Sequence, residues 1–407
     1  MNAARAPRGV WCLSVLLLLA GPGLTQNSLA QKAETGSGKK TSVSAATKPA
    51  ATTGITGALS GVFQATRTAS LRLEDCPPVA EDPDCKDPNG IGSGVLISAD
   101  GSVLTAYHVL FDSSRLEAVT LDKKRYPLTV VGFDETHDLA LLKINIAGAP
   151  FVPLTPMLPR IGQTALAIGN SGGKFLQPKV GKLLALDAAA GRADFPAGTL
   201  QLDAPLAPGD SGGPILNDAG QLIGITSYIR LKPTAKTGAL PATASYAAYA
   251  ATLETTSYAV PVTASSALLA QLQAGLKREA PVVGVGTSSQ LTDGLSARFF
   301  SSLGLGSRVG FVFDSVLKGG PADLAGLRPL KVISKDSKDV PTRATGDVIT
   351  AIDGKAVTNY DDFLAAVRSH EVGDKVTLTV YRDGAAKPLS IAVTLAPRTI
   401  SLGRSKP

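Results

Sequence analysis

Histidine and cysteine are scarce in this chain, three of each in 407 residues, and each scarcity excludes chemistry. No grouping of His and Cys completes the four ligands of a structural zinc, so no metal site is expected. Glycine-rich phosphate loops are absent too, and no cofactor is expected. The formal net charge is +7, modest for the length. Arg5, Arg8, Lys39 and Lys40 supply part of it from segments without a globular pattern. No basic stripe is interleaved with aromatics, so no nucleic-acid partner is expected. Beyond the N-terminus no stretch is apolar enough to span a bilayer, and no stable membrane insertion is expected.

What is present points to export. Arg5 and Arg8 precede a short apolar run, Val10–Ala20, which ends at Gly21-Pro22-Gly23. Ser28-Leu29-Ala30 supplies the small residues a signal peptidase reads. Residues 1–30 are therefore predicted to be a cleaved signal peptide, and the product to be periplasmic or secreted. An uncleaved anchor is the alternative, but a span needs about 20 apolar residues and this run is shorter. Cys12 leaves with the leader. The remaining pair, Cys76 and Cys85, reads as one disulfide in an exported protein, worth roughly 2–3 kcal/mol; two free thiols are the alternative. Residues 31–56 are mostly Ala, Thr, Ser, Gly and Lys. They cannot bury enough apolar surface to offset ordering, so they read as a disordered tether.

From Val62 onward, short apolar runs alternate with Gly, Pro, Asn and Asp, the pattern of an all-β barrel or sandwich. Gly94–Ser98 and Val103–Ala106 flank Asp100-Gly101 as a hairpin. Leu139–Ile144, Ala165–Ile168, Thr199–Leu202, Gly213–Leu216 and Leu222–Ser227 read as further strands. Thr263–Arg278 places Leu268, Leu269, Leu272 and Leu276 on one helical face, giving a linker helix over 263–280. Residues 281–397 form a second, α+β pattern. Its strands fall at Val282–Val285, Gly310–Val316, Val348–Ile352, Val376–Arg382 and Leu389–Leu395. Its helices fall at Asp293–Leu303, Pro321–Gly326 and Asp361–His370. Lys331–Thr345 is polar and reads as an inserted loop, and 398–407 as a tail.

With only three histidines, a general base can be sought exhaustively. A serine hydroxyl needs an imidazole to take its proton, a carboxylate to fix the tautomer, and N–H donors for the oxyanion. Pro208-Gly209-Asp210-Ser211-Gly212-Gly213-Pro214 suits this, with Ser211 as nucleophile and the Gly209 and Ser211 N–H groups as the oxyanion hole. His108, at a strand end, is the candidate base and Asp138 the orienter. His137 is a neighbour of Asp138, and strand neighbours point to opposite faces, so it is expected outside the site. Ser171, in Gly169-Asn170-Ser171-Gly172-Gly173, is a rival nucleophile set aside as scaffold. His370 reads as a helix-end histidine, and Asp203 as a barrel turn residue or a pocket wall.

Thr105-Ala106-Tyr107-His108, Asp138-Leu139-Ala140-Leu141-Leu142 and Gly209-Asp210-Ser211-Gly212-Gly213-Pro214, in that order, resemble the chymotrypsin-like serine proteases. Gly92-Ser93-Gly94-Val95, Ala167-Ile168-Gly169-Asn170, Gln201-Leu202-Asp203-Ala204 and Tyr258-Ala259-Val260-Pro261 resemble the HtrA/DegP branch. Residues 281–397 resemble a PDZ domain through Val283-Gly284-Val285, Gly319-Gly320-Pro321-Ala322 and Gly346-Asp347-Val348-Ile349. The resemblance implies a mainly β chain: a trypsin-like protease domain over 57–262, made of two six-stranded β-barrels with the site between them, then one small α+β PDZ domain. It implies an endopeptidase acting on unfolded or misfolded exported proteins. The PDZ domain would bind peptides or C-termini at Val283, Gly284 and Val285, as an added strand facing Asp361–Ser369. A PDZ-bearing holdase or adaptor is the alternative. Family members form trimers through their N-terminal segment; here Phe63 is its main large apolar residue, and assembly is open. One departure is Asp210, where the HtrA branch usually has Asn. Trypsin-like enzymes pair that Asp with a terminus freed by cleavage, but no suitable Ile-Val-Gly-Gly start exists. Asp210 is therefore expected to bond within its own turn, without zymogen activation. The long Arg230–Thr256 loop leaves specificity unassigned.

Overall fold

The computed structural model describes residues 57–110, 113, 115–189, 195–233, 253–287 and 295–398. The predicted signal peptide, the tether and most of the Arg230–Thr256 loop lie outside the described residues.

Seven strands build the first half: β1 (Ser70–Asp75), β2 (Gly90–Leu96), β3 (Ser102–Thr105), β4 (Leu116–Val119), β5 (Arg125–Pro127), β6 (Thr129–Asp134) and β7 (Leu139–Lys143). The second half is a closed barrel of β8 (Thr164–Gly169), β9 (Gln177–Ala188), β10 (Thr199–Leu202), β11 (Pro214–Leu216), β12 (Leu222–Pro233) and β13 (Leu253–Pro261). The first half departs from the six strands expected. Its sheet runs β14-β6-β7-β3-β2-β1-β4-β5, where β14 is Lys277–Arg278 from the linker. Both halves follow from alternation. In β1, Leu71 and Leu73 are fully buried while Arg72 between them is half-buried. In β7 all four residues Leu139–Leu142 are buried, because core packs on one face and the linker helix on the other.

The linker helix is shorter than predicted. It covers Ala267–Gln273, capped by Ser266, whose side chain accepts the Leu269 N–H. Gly275 adopts φ +90° and ends it, and the chain then pairs in parallel with β6, Lys277 opposite Phe133. The leucine periodicity persisted past the point where Gly275 turns the backbone. Leu269 and Leu272 bury themselves in the first-half core, each contributing about 1.5–3 kcal/mol. The helix approaches β6 closely at Gly132, where a Cβ would lie 2.6 Å from the Leu272 carbonyl oxygen.

The C-terminal module has its own core around Phe311, Phe313, Phe363 and Val376. Its main sheet orders β20 (Asp347–Ile352) between β21 (Lys355–Ala356) and β22 (Lys375–Arg382), with β23 (Leu389–Thr394) at the far edge. The helix Tyr360–Arg368 is capped by Asn359 and buries Phe363, Ala366 and Val367. The predicted strand Val282–Val285 is broken: β15 (Pro281–Val282) and β16 (Val285–Gly286) flank Gly284 at φ +79°. The predicted loop Lys331–Thr345 is instead a hairpin of β18 (Lys331–Lys335) and β19 (Pro341–Thr345). Its polar composition hid it, because both strands are exposed for most of their length.

Candidate active site

His108 sits on a 3-10 turn, Tyr107–Val109, directly after β3. Asp138 sits in the turn between β6 and β7, in a left-handed conformation with φ +51°. The turn brings its carboxylate under His108 twice over. Oδ1 accepts the His108 backbone N–H at 2.9 Å, and the ring Nδ1 lies 3.0 and 2.9 Å from Oδ1 and Oδ2. Nδ1 is thereby held as the protonated nitrogen, leaving Nε2 as the acceptor. Burial pushes the Asp138 carboxyl up, but the charge of a protonated His108 and the hydrogen bonds of its ring, Ser227 and the His108 N–H bring it below its ordinary value. Burial pulls the His108 imidazole down, yet the Asp138 charge and hydrogen bond outweigh it, so its pKa is raised.

Ser227 is a member of this group that sequence reasoning missed. β12 carries a bulge between Thr226 and Tyr228, and the buried Ser227 hydroxyl donates to Asp138 Oδ2. A serine inside the apolar run Leu222–Ser227 was the only signal available.

Ser211 is half-buried and approaches from the second half. Its carbonyl accepts the Ser93 N–H at 2.7 Å, and the Ser93 carbonyl accepts Thr105 Oγ1 at 2.8 Å, three residues before His108. Gly92 lies between the two: a Cβ there would meet Val109 at 2.6 Å and the Ser211 carbonyl at 3.4 Å. No hydrogen bond joins Ser211 Oγ to His108 in this structure, although the chain segments bearing them are adjacent. Gly209 has φ +99°, and its carbonyl is turned away to Ser93 Oγ at 2.7 Å and the Asn170 N–H at 3.4 Å. Among the described residues, neither the Gly209 nor the Ser211 N–H donates to a protein acceptor. Free N–H donors on the residue that bears the hydroxyl and two residues before it are the kind of group an oxyanion requires.

The rivals fall elsewhere. His137 is not on a strand, as the opposite-faces argument assumed, but in the same turn as Asp138. Its Nδ1 bonds Asp134 Oδ2 at 2.8 Å, not the Asp138 carboxylate that holds His108. Ser171 is buried, its hydroxyl accepting from Lys179 Nζ at 2.7 Å. His370 bonds the Ala366 carbonyl at 2.9 Å and faces Asp353. Asp203 is exposed directly after β10, where its side chain accepts the Lys182 N–H at 2.6 Å and its own N–H donates to the Lys182 carbonyl at 3.3 Å. Asp210 does bond within its turn, to the Ala207 N–H at 2.9 Å, but it also reaches beyond it, to the Ser171 N–H and to Lys179.

The sulfurs of Cys76 and Cys85 are at bonding distance. Glu74, Cys76 and Cys85 set ligand-type atoms within 4.8 Å of one another.

In the C-terminal module, the Val283 side chain is buried in the core, so only its backbone is open to a partner. Gly284 turns the chain, and β16 pairs with β17 (Ser315–Val316), Val285 opposite Val316. The Val283 and Gly284 carbonyls accept from Ala322 and Leu317, while their own N–H groups meet no protein acceptor among the described residues.

The sequence model of the trypsin-like peptidase domain matches residues 92–225, and that of the PDZ domain matches 282–393. The serine protease Do-like HtrA of Lactococcus lactis is 31% identical, over 78% of this chain and 73% of that protein. A probable periplasmic serine endoprotease, DegP-like, of Ectopseudomonas mendocina is 28% identical over 77% of this chain and 58% of that protein. The chain thus spans little more than half the length of several curated relatives it matches. Among solved structures, the serine endoprotease from Yersinia pestis aligns with a TM-score of 0.47 at 20% identity, over 84% of this chain and 99% of that one. The chain belongs to the HtrA family of trypsin-like serine proteases, with one PDZ domain after the protease domain.

Proposed function

We propose that this chain is a serine endopeptidase that cleaves unfolded or misfolded exported proteins through an acyl-enzyme. The observation that carries the reading is the closed group Ser227–Asp138–His108 facing the strand that also binds Ser211. Ser211 Oγ attacks the scissile carbonyl as His108 Nε2 takes its proton. Asp138 holds the imidazolium, and the Gly209 and Ser211 N–H groups receive the oxyanion. Collapse expels the amine, which takes the proton back from His108, and leaves a Ser211 ester. Water, deprotonated by the same nitrogen, then hydrolyses it. Every proton passes through one imidazole, which is why the loss of Asp138 is costly.

The protease domain covers 57–262 and the PDZ domain 281–397 in this reading. Polypeptides are the partners: unfolded segments at Ser211, and C-terminal peptides at Val283, Gly284 and Val285. There the two unpaired N–H groups suit a terminal carboxylate. The predicted leader, the periplasmic naming of relatives and the Cys76–Cys85 pair together support a cleaved signal peptide, an oxidised disulfide and a periplasmic location. Labelling with a fluorophosphonate tests the core of this proposal. Wild type labels and Ser211→Ala does not; a folded wild type that stays unlabelled, or equal labelling of both, overturns it.

A further inference from the structure

Asp210 is adjacent to Ser211 and 2% exposed. A carboxylate at that depth is costly to ionise unless it is paired and fully bonded. The fold supplies every partner. Oδ1 accepts the Ser171 N–H at 3.1 Å, and Oδ2 accepts the Ala207 N–H at 2.9 Å and Lys179 Nζ at 2.5 Å. Lys179 Nζ also donates to Ser171 Oγ at 2.7 Å, and its side chain is 18% exposed. The socket is fitted, since a Cβ on Gly169 would lie 2.2 Å from Asp210 Oδ1. Three elements therefore converge on one carboxylate: the end of β8, the Ser171 turn and β9, which brings Lys179 opposite Ala167.

The carboxylate in turn shapes the loop before Ser211. Its bond to the Ala207 N–H and the Asp210 N–H bond to the Ala207 carbonyl at 3.0 Å close a turn. Gly209 sits in the middle of that turn, at φ +99°. Whatever holds Asp210 therefore sets the direction of the Gly209 and Ser211 N–H groups.

We propose that Lys179 is a positioning residue, the cation supplied from within the barrel that locks Asp210 and keeps the oxyanion donors aligned without cleavage of the chain. This rests on the reading of Ser211 as nucleophile. It also gives the buried Ser171 a role: not a nucleophile but a strut between the ammonium and the carboxylate.

Three variants of the full chain test it: Lys179→Met, Lys179→Arg and the double variant Lys179→Met/Asp210→Asn. Steady-state kinetics on denatured casein and the rate of fluorophosphonate labelling are measured, with circular dichroism to verify folding. Because the oxyanion donors act in the transition state, Lys179→Met lowers kcat about 100-fold, with KM within about threefold. Lys179→Arg restores kcat to within about tenfold of wild type, since a cation is again present. In the double variant no charge is buried without a partner, and Asn retains an acceptor for the Ser171 or Ala207 N–H. Its kcat therefore rises at least about tenfold above that of Lys179→Met. A folded Lys179→Met with wild-type kcat, or one that changes KM alone, overturns the proposal. If Lys179→Met does not fold, the double variant decides: a folded double variant slowed about 100-fold also overturns it. Failure of wild type to label marks failure of the protease reading instead.

Discussion

Asp138→Asn is the sharpest perturbation of the site, because the replacement keeps the shape and changes one donor–acceptor assignment. The aspartate accepts from the His108 backbone N–H, the His108 ring and the Ser227 hydroxyl. An asparagine has one accepting oxygen and one donating NH2. The His108 backbone N–H keeps the amide oxygen at the Oδ1 place, so the NH2 takes the Oδ2 place, 2.9 Å from the ring Nδ1, and donates to it while the Ser227 hydroxyl turns to accept. Nδ1 then becomes an acceptor, the ring proton moves to Nε2, and the atom that must take the Ser211 proton is already occupied. The same change in another triad protease costs about 10⁴ in kcat, or about 5 kcal/mol of transition-state stabilisation. We expect that loss here with KM nearly unchanged, because nothing that binds substrate has moved. The assay is steady-state cleavage of denatured casein at pH 8, with fluorophosphonate labelling as a substrate-independent check. A folded Asp138→Asn protein retaining more than about one-tenth of wild-type kcat would refute the role given to Asp138.

Three further predictions follow from the geometry. Protonated His108 cannot accept the Ser211 proton, and its pKa is raised by Asp138. The rate of kcat/KM therefore falls with acid around a midpoint above the ordinary histidine value of about 6.5, and a midpoint below it in a pH titration would contradict the structure. Gly132→Ala forces a methyl to 2.6 Å from the Leu272 carbonyl. It should cost about 1–3 kcal/mol in thermal melts by lifting the linker helix, whereas an unchanged Tm would show that the helix is not docked on β6. Reducing the Cys76–Cys85 bond opens a short loop with a separation of 9 residues. This should lower stability by about 2.5 kcal/mol in denaturant titrations with and without a phosphine reductant.

The parts of the site that were legible in sequence are those where chemistry restricts residue type and a local motif restricts position. His108 follows a strand, Ser211 lies in a glycine-framed turn, and Asp138 opens an apolar run, so each carries its own signal. Ser227 offers only its place at the end of an apolar run, and Lys179 offers nothing. Each lies on a strand and acquires its partner only through sheet register: a bulge in β12 for Ser227, and the pairing of β9 with β8 for Lys179. The helix predicted to Arg278 shows the opposite failure. Leucine spacing continued to favour helix, but Gly275 at φ +90° and the free edge of β6 redirected the chain into a strand. The Lys331–Thr345 hairpin was illegible because exposed strands need no apolar alternation. The argument that set His137 aside does not hold, since the residue lies in a turn rather than on a strand; its partner is Asp134.

The pairing of β14 with β6 bears on how separable the two modules are. The proposed limit of the protease domain at Val262 invites excision of that domain alone. A chain ended there would uncover the face of β6 and β7 that Leu269 and Leu272 cover. It would strip β6 of its edge partner and leave the fully buried Asp134 without the Arg278 guanidinium, now 2.7 Å away. Glu135, three residues before Asp138, would lose the Ala280 N–H at 2.9 Å and Arg398 at 2.8 Å. The unit of heredity and the unit of stability do not coincide here: the catalytic half borrows its last strand, two cations and a backbone donor from sequence that domain boundaries assign elsewhere.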